Sequence, residues 1–95
     1  MIYKYSVDYT SEFKKSYKKI KKQGKNIDKL KKIIEMIACG EELELKYWEH
    51  KLLDNKKFKN YRECHIEPDW LLIYRIDNDN LILLLVDTGS HSDLF

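Results

Sequence analysis

The chain has 95 residues, a 43% hydrophobic share and a net charge of +2. That length suits one domain, residues 1–95, with one modest core, and the apolar share excludes a disordered composition. The longest apolar run, Leu81 to Val86, excludes a membrane-spanning helix.

The charge is unevenly spread. Residues 1–40 hold eleven Lys and four acids, giving +7, while residues 41–95 hold five Lys, two Arg and twelve acids, giving −5. A basic half attracts polyanions or acidic protein segments, although Lys-rich helical faces are also common as plain solvated surface. The segment after Met1 has no apolar stretch of the kind a secretory signal needs. Cys39 and Cys64 suit free thiols in a reducing compartment. The expected location is the cytoplasm.

Taken in chain order, Ile2 to Val7 alternates with period two and reads as a strand. Asp8, Thr10 and Ser11 offer helix caps. Phe13, Tyr17 and Ile20 then recur at helical spacing, and Gly24 ends that helix. Asn26 or Asp28 starts a second helix with the stripe Leu30, Ile33, Ile34 and Ile37, closed by Gly40. Glu41 to Asn55 is irregular. Phe58 to Ile66 predicts a strand that Pro68 interrupts. Trp70 to Ile76 is the next strand, and Asp77-Asn78-Asp79-Asn80 a turn. Leu81 to Val86 predicts a strand covered on both faces, and the residues after Gly89 a loop with at most a turn of helix. The expected fold class is α+β: an N-terminal strand, a helical hairpin, then a three-stranded, mostly antiparallel sheet with the helices on one face.

Several chemistries are absent from the pattern. The three glycines are isolated, so no phosphate-binding loop is present. There is no nucleophile elbow. No Cys or His pair has metal-site spacing; a zinc site would have to be built from Cys64, His50 and His91, and neither metal nor cofactor is expected. What remains is histidine acid–base chemistry with carboxylate support. Metal-free RNA cleavage needs such groups: a base for the 2′-hydroxyl, an acid for the leaving 5′-oxygen, and a donor for charge growing on phosphorus. Each residue also has a plainer reading. His50 fits a polar loop, His65 a hydrogen-bonded sheet rim, His91 an exposed tail and Asp69 a turn. Trp70 and Tyr74 fit a core, and Arg62 a solvated strand.

The segment Tyr61-Arg62-Glu63-Cys64-His65-Ile66-Glu67-Pro68-Asp69-Trp70-Leu71-Leu72-Ile73-Tyr74 resembles the signature of the YafQ-type branch of the RelE toxin superfamily. The tail Thr88-Gly89-Ser90-His91-Ser92-Asp93-Leu94-Phe95 is similar to that branch's C-terminal end, and Glu49-His50-Lys51-Leu52 resembles its upstream element. The resemblance spans essentially the whole chain. It implies a RelE-like fold and a bacterial type II toxin that cleaves mRNA in the ribosomal A site and is neutralised by a cognate antitoxin. Carried over position by position, the implied catalytic set is His50, His65, Asp69, His91 and Phe95. Two departures fall near His50: Lys51 replaces the usual proline, and Leu53-Asp54-Asn55 replaces the usual glycine.

Within that frame His65 and His91 are expected to form the acid–base pair, with Asp69 orienting an imidazole or favouring its charged form. His50 would help position the base or bind phosphate. Phe95 would stack on a nucleobase or fix the tail, and Trp70 is a second stacking candidate. Lys51, Lys56, Lys59 and Arg62 are the expected backbone contacts. Two other functions fit parts of the same sequence: a gyrase-inhibiting toxin of the ParE type, and a non-catalytic antitoxin- or RNA-binding module carried by the Lys-rich helices.

Overall fold

A computed structural model describes residues 3–51 and 61–95. In chain order it contains β1 (Ser6–Tyr9), α1 (Ser11–Lys22), α2 (Ile27–Ala38), a short 3₁₀ turn (Leu45–Tyr47), β2 (His50–Lys51), β3 (Arg62–Glu67), β4 (Trp70–Asp77), β5 (Ile82–Gly89) and α3 (His91–Leu94). Among the described residues the strands form one sheet in the order β1-β5-β4-β3-β2. β1 runs parallel to β5, and the other neighbours are antiparallel.

The helices begin where polar side chains can cap them. Thr10 accepts a hydrogen bond from the Phe13 N–H, and Asn26 accepts one from the Asp28 N–H, satisfying donors that have no partner inside the helix. The apolar stripes then face the sheet. Phe13, Ile20, Leu30, Ile33 and Ile37 are buried against Cys64, Trp70, Leu72, Tyr74, Leu83 and Leu85. Leu71 and Ile73 alternate with that set along β4, so they face the other way. There they pack with Val86 and Leu94 in a second, smaller cluster. That opposite face carries the site described below.

The expected α+β class holds, with differences at the edges. Of the expected strand Ile2–Val7, Ile2 lies outside the described residues, and the first strand is Ser6–Tyr9. The N–H groups of Lys4 and Tyr5 bond instead to the Ala38 carbonyl at the end of α2, so these residues cap a helix and join the sheet only from Ser6. The expected N-terminal strand, β1, pairs in parallel with β5 at one edge, and the two-residue β2 flanks β3 at the other. β5 also runs on to Gly89, past the apolar run, because Asp87 and Thr88 have partners: Ser16 donates to Asp87, and Thr88 donates to the Leu71 carbonyl. The first residues of the expected Phe58 strand lie outside the described residues, and β3 is described from Arg62. No described helix is long and apolar enough to cross a membrane.

Candidate active site

The β3–β4 hairpin places the first histidine. Along β3, Cys64 and Ile66 enter the core under the helices, so Glu63 and His65 project to the opposite face. Pairing shifts between His65 and Glu67, a bulge just before the Pro68-Asp69 turn. Bulges bend a strand and re-aim its side chains, and here the Pro68 carbonyl comes to lie 3.3 Å from His65 Nδ1. The other ring nitrogen, Nε2, lies 3.4 Å from Glu63 Oε1. Both residues are buried, so the imidazole is held on two sides in a setting that water screens poorly.

The second histidine comes from the chain end. The β4–β5 register pairs Leu71 with Gly89, which brings the residues after β5 beside the Pro68-Asp69 turn. Gly89 has φ +156°, and a Cβ there would lie 3.2 Å from Asp93 Cβ; a bare backbone lets α3 fold back this closely. Ser90 and Asp93 then form a reciprocal capping box. Leu94 is buried with Leu71, Ile73 and Val86, so the tail is packed down rather than frayed. Asp69 Oδ1 accepts from the His91 backbone N–H at 3.2 Å and from His91 Nδ1 at 3.1 Å. These two bonds, the backbone one first, hold the Asp69 carboxyl below its ordinary range. With Nδ1 donating, Nε2 is the nitrogen His91 presents outward. The His65 and His91 ring centres are 5.7 Å apart, and those of His91 and Phe95 6.4 Å.

A third segment closes on the pair. Trp48, just past the 3₁₀ turn, stacks on the His65 ring at 5.1 Å between centres and 30° between planes. Its backbone is left-handed, with φ 47°, a region bulky residues rarely enter. Next to it, Glu49 accepts from the Tyr74 hydroxyl and pairs with Arg62 at 3.3 Å. β2 follows immediately, and its register sets His50 opposite Glu63 and Lys51 opposite Arg62.

His65, Asp69, His91 and Phe95 thus converge as the sequence implies. His50 shares the register through its backbone, while its side chain, with Lys56 and Lys59, lies outside the described residues. Lys51 is exposed on β2. Arg62 is directed to Glu49 and Tyr74. Trp70 is a correction. It is wholly buried, with its indole N–H donating to Thr88 Oγ1 at 3.0 Å, so no face is open to a nucleobase. The apolar period of β4 places it in the core.

A family model described as "Bacterial toxin of type II toxin-antitoxin system, YafQ" matches residues 5–95. The chain belongs to the YafQ toxin family. The mRNA interferase toxin YafQ of Escherichia coli strain B / BL21-DE3 is 33% identical over 90 residues, covering 94% of both chains. In the crystal structure of the E. coli DinJ–YafQ toxin–antitoxin complex, one chain superposes with a TM-score of 0.85 at 31% identity, covering 97% of this chain and 98% of that one. A metal-bound toxin from Helicobacter pylori superposes at 0.87 with 36% identity, covering 96% and 99%.

The site is built from a hairpin turn and a docked chain end, and two of its residues were not singled out in the sequence. Glu63 was legible in principle, since it sits two residues before His65 on a strand and therefore on the same face. Trp48 was not, because its approach to His65 depends on a loop path with no periodic signal. Ligand atoms of Glu63, His65 and His91 lie within 4.8 Å of one another. Two imidazoles and a carboxylate suit a borderline divalent metal. Cys64 cannot join them, because it is buried on the helix side with its thiol pushed up to about 12 by burial.

Proposed function

We propose that this chain is the toxin of a type II toxin–antitoxin pair, acting in the cytoplasm as a ribosome-dependent mRNA endoribonuclease. Its name-bearing relatives are mRNA interferase toxins. The observation that carries the chemical reading is the pairing of His65 and His91 at 5.7 Å, each ring fixed by oxygen acceptors. A phosphate seated against both rings meets a base and an acid at once. One histidine takes the proton of the 2′-hydroxyl, and the 2′-oxygen attacks phosphorus. The P–O5′ bond breaks as the other histidine protonates the departing oxygen. The products are a 2′,3′-cyclic phosphate and a 5′-hydroxyl.

Asp69 acts through His91, holding its ring and presenting Nε2. Glu63 holds the His65 ring at Nε2 while the Pro68 carbonyl lies at Nδ1, so Nε2 exchanges Glu63 for the substrate when His65 takes part in proton transfer. Phe95, exposed beside His91, offers a stacking face, and His50 and Lys51 border the site from β2. Lys56 and Lys59 remain proposed backbone contacts. Arg62 fits better as the anchor of Glu49, which fixes the segment leading to His50. A divalent metal on Glu63, His65 and His91 would supply a Lewis acid, but it would also occupy both nitrogens that the proton transfers need. Those transfers are therefore assigned to the side chains alone. The E. coli toxin was solved with the antitoxin DinJ. By analogy the partner here is a small antitoxin whose flexible, partly acidic segment covers the basic helices or the cleft. Neither the family match nor the acid–base residues favour gyrase as the target.

The test is chemical. Messages with a 2′-deoxy sugar at the cut position should resist cleavage, and all-ribose messages should yield cyclic-phosphate and 5′-hydroxyl ends. Cleavage of the deoxy message, or 5′-phosphate ends, would mean hydrolysis by water and a different mechanism.

A further inference from the structure

Beside His65 lies a cavity of about 550 Å³ lined by Lys29, Lys32, Lys46, Trp48, His65 and Glu67, among others. It runs from the basic face of α2 to the catalytic face of the sheet. Its volume is in the range of small-ligand sites. Trp48 stands at its edge with 68% of its surface exposed, in a chain whose other tryptophan is wholly buried. The left-handed backbone of Trp48, φ 47°, is a strained conformation of the kind that clusters at binding and active sites. One face of its ring meets His65 at 5.1 Å.

We propose that Trp48 and the lysines of this cavity form a nucleotide subsite next to the scissile phosphate. The indole stacks on the base, and Lys29, Lys32 and Lys46 hold the adjoining phosphates. The inference rests on the nuclease reading and deepens it. Each base has a π-face, so an aromatic platform flanked by cations takes single-stranded RNA with limited regard to sequence. The acids nearby do not cancel the field: Lys29 reaches Glu67 at 3.0 Å and Lys46 reaches Glu44 at 3.5 Å, both at the surface, where such pairs are weak and exchange readily for a phosphate. The subsite also gives the stacked Trp48–His65 arrangement a purpose. A base lying on the indole puts its own backbone within reach of the imidazole beneath. Trp70, proposed from sequence for stacking, is wholly buried, whereas Trp48 is largely exposed.

The test titrates toxin into a translating extract programmed with one message and maps the new 5′ ends. W48A should need about ten-fold more toxin or more for half-maximal cleavage, the order that one stacked base contributes. W48F should stay near wild type, and the distribution of cut codons should shift in W48A. A thermal melt of each variant checks that the exposed position leaves the fold intact. W48A titrating like wild type would overturn the proposal, as would W48F behaving as poorly as W48A. Unchanged cleavage combined with lost neutralisation by the antitoxin would assign the ring to a protein interface instead. His91→Ala separates the two readings: if it still cuts while W48A fails, the subsite stands and the acid–base assignment falls.

Discussion

Asp69 is the hinge of the site at the residue scale. Its one carboxylate oxygen orders both the backbone and the ring of a residue at the far end of the chain. The depressed pKa carries a sign. A carboxyl whose folded pKa lies below its unfolded value contributes to the docked state above the unfolded pKa, and that contribution is lost as pH falls through the lowered value. The His91 backbone amide should therefore report a titration with a midpoint below the ordinary Asp value of about 4. NMR across the acid range measures this, and Asp69→Ala should erase it. A midpoint at or above the ordinary value would show that the bond to His91 does not persist in solution. The motif made Asp69, His65 and His91 legible: each alone also fits a turn, a sheet rim or a tail, and only their combination at this spacing singled them out. Glu63 escaped notice because an acid on a strand usually reads as surface, and only the buried position reveals its contact with His65 Nε2.

At the element scale, α3 is the informative piece. Four residues cannot make a stable helix alone. The Ser90–Asp93 box and buried Leu94 hold it, and Lys19 of α1 adds an ion pair to Asp93 at 3.3 Å. Removing a buried leucine side chain typically costs about 2–5 kcal/mol, more than so short a helix can absorb. Leu94→Ala should therefore undock the tail while the rest of the domain stays folded. Amides 91–95 would then exchange faster by hydrogen-exchange measurement, and message cleavage would fall with them. Protection equal to wild type would place the tail's anchorage elsewhere. Sequence gave the right element types for the two long helices and the β4 strand, since caps and apolar periods are local signals. It misplaced the first strand because Tyr5 meets the end of α2, and nothing in residues 2–7 encodes that tertiary contact.

Over the whole molecule, the helices shield one side of the sheet and leave the other for chemistry. Most of the positive charge of residues 1–40 rides on those helices, so the cavity by Trp48 is where the basic surface and the catalytic face meet. The strand order that creates this layout is hard to see in a sequence. β1 pairs in parallel with β5, the last strand of the chain, and only long-range contacts specify such a neighbour. The family signature and the periodicity together gave the elements in chain order and the helices on one face, and left the strand order open.

The central claim is that His65 and His91 act as one acid–base pair on message. It is tested most directly by mapping mRNA 5′ ends in a translating extract with wild-type protein, His65→Ala and His91→Ala. Groups of this kind contribute about 10²–10⁴-fold each. New ends within reading frames should therefore appear with wild-type protein and fall by about that factor in either variant. Undiminished cleavage by both variants would contradict the account.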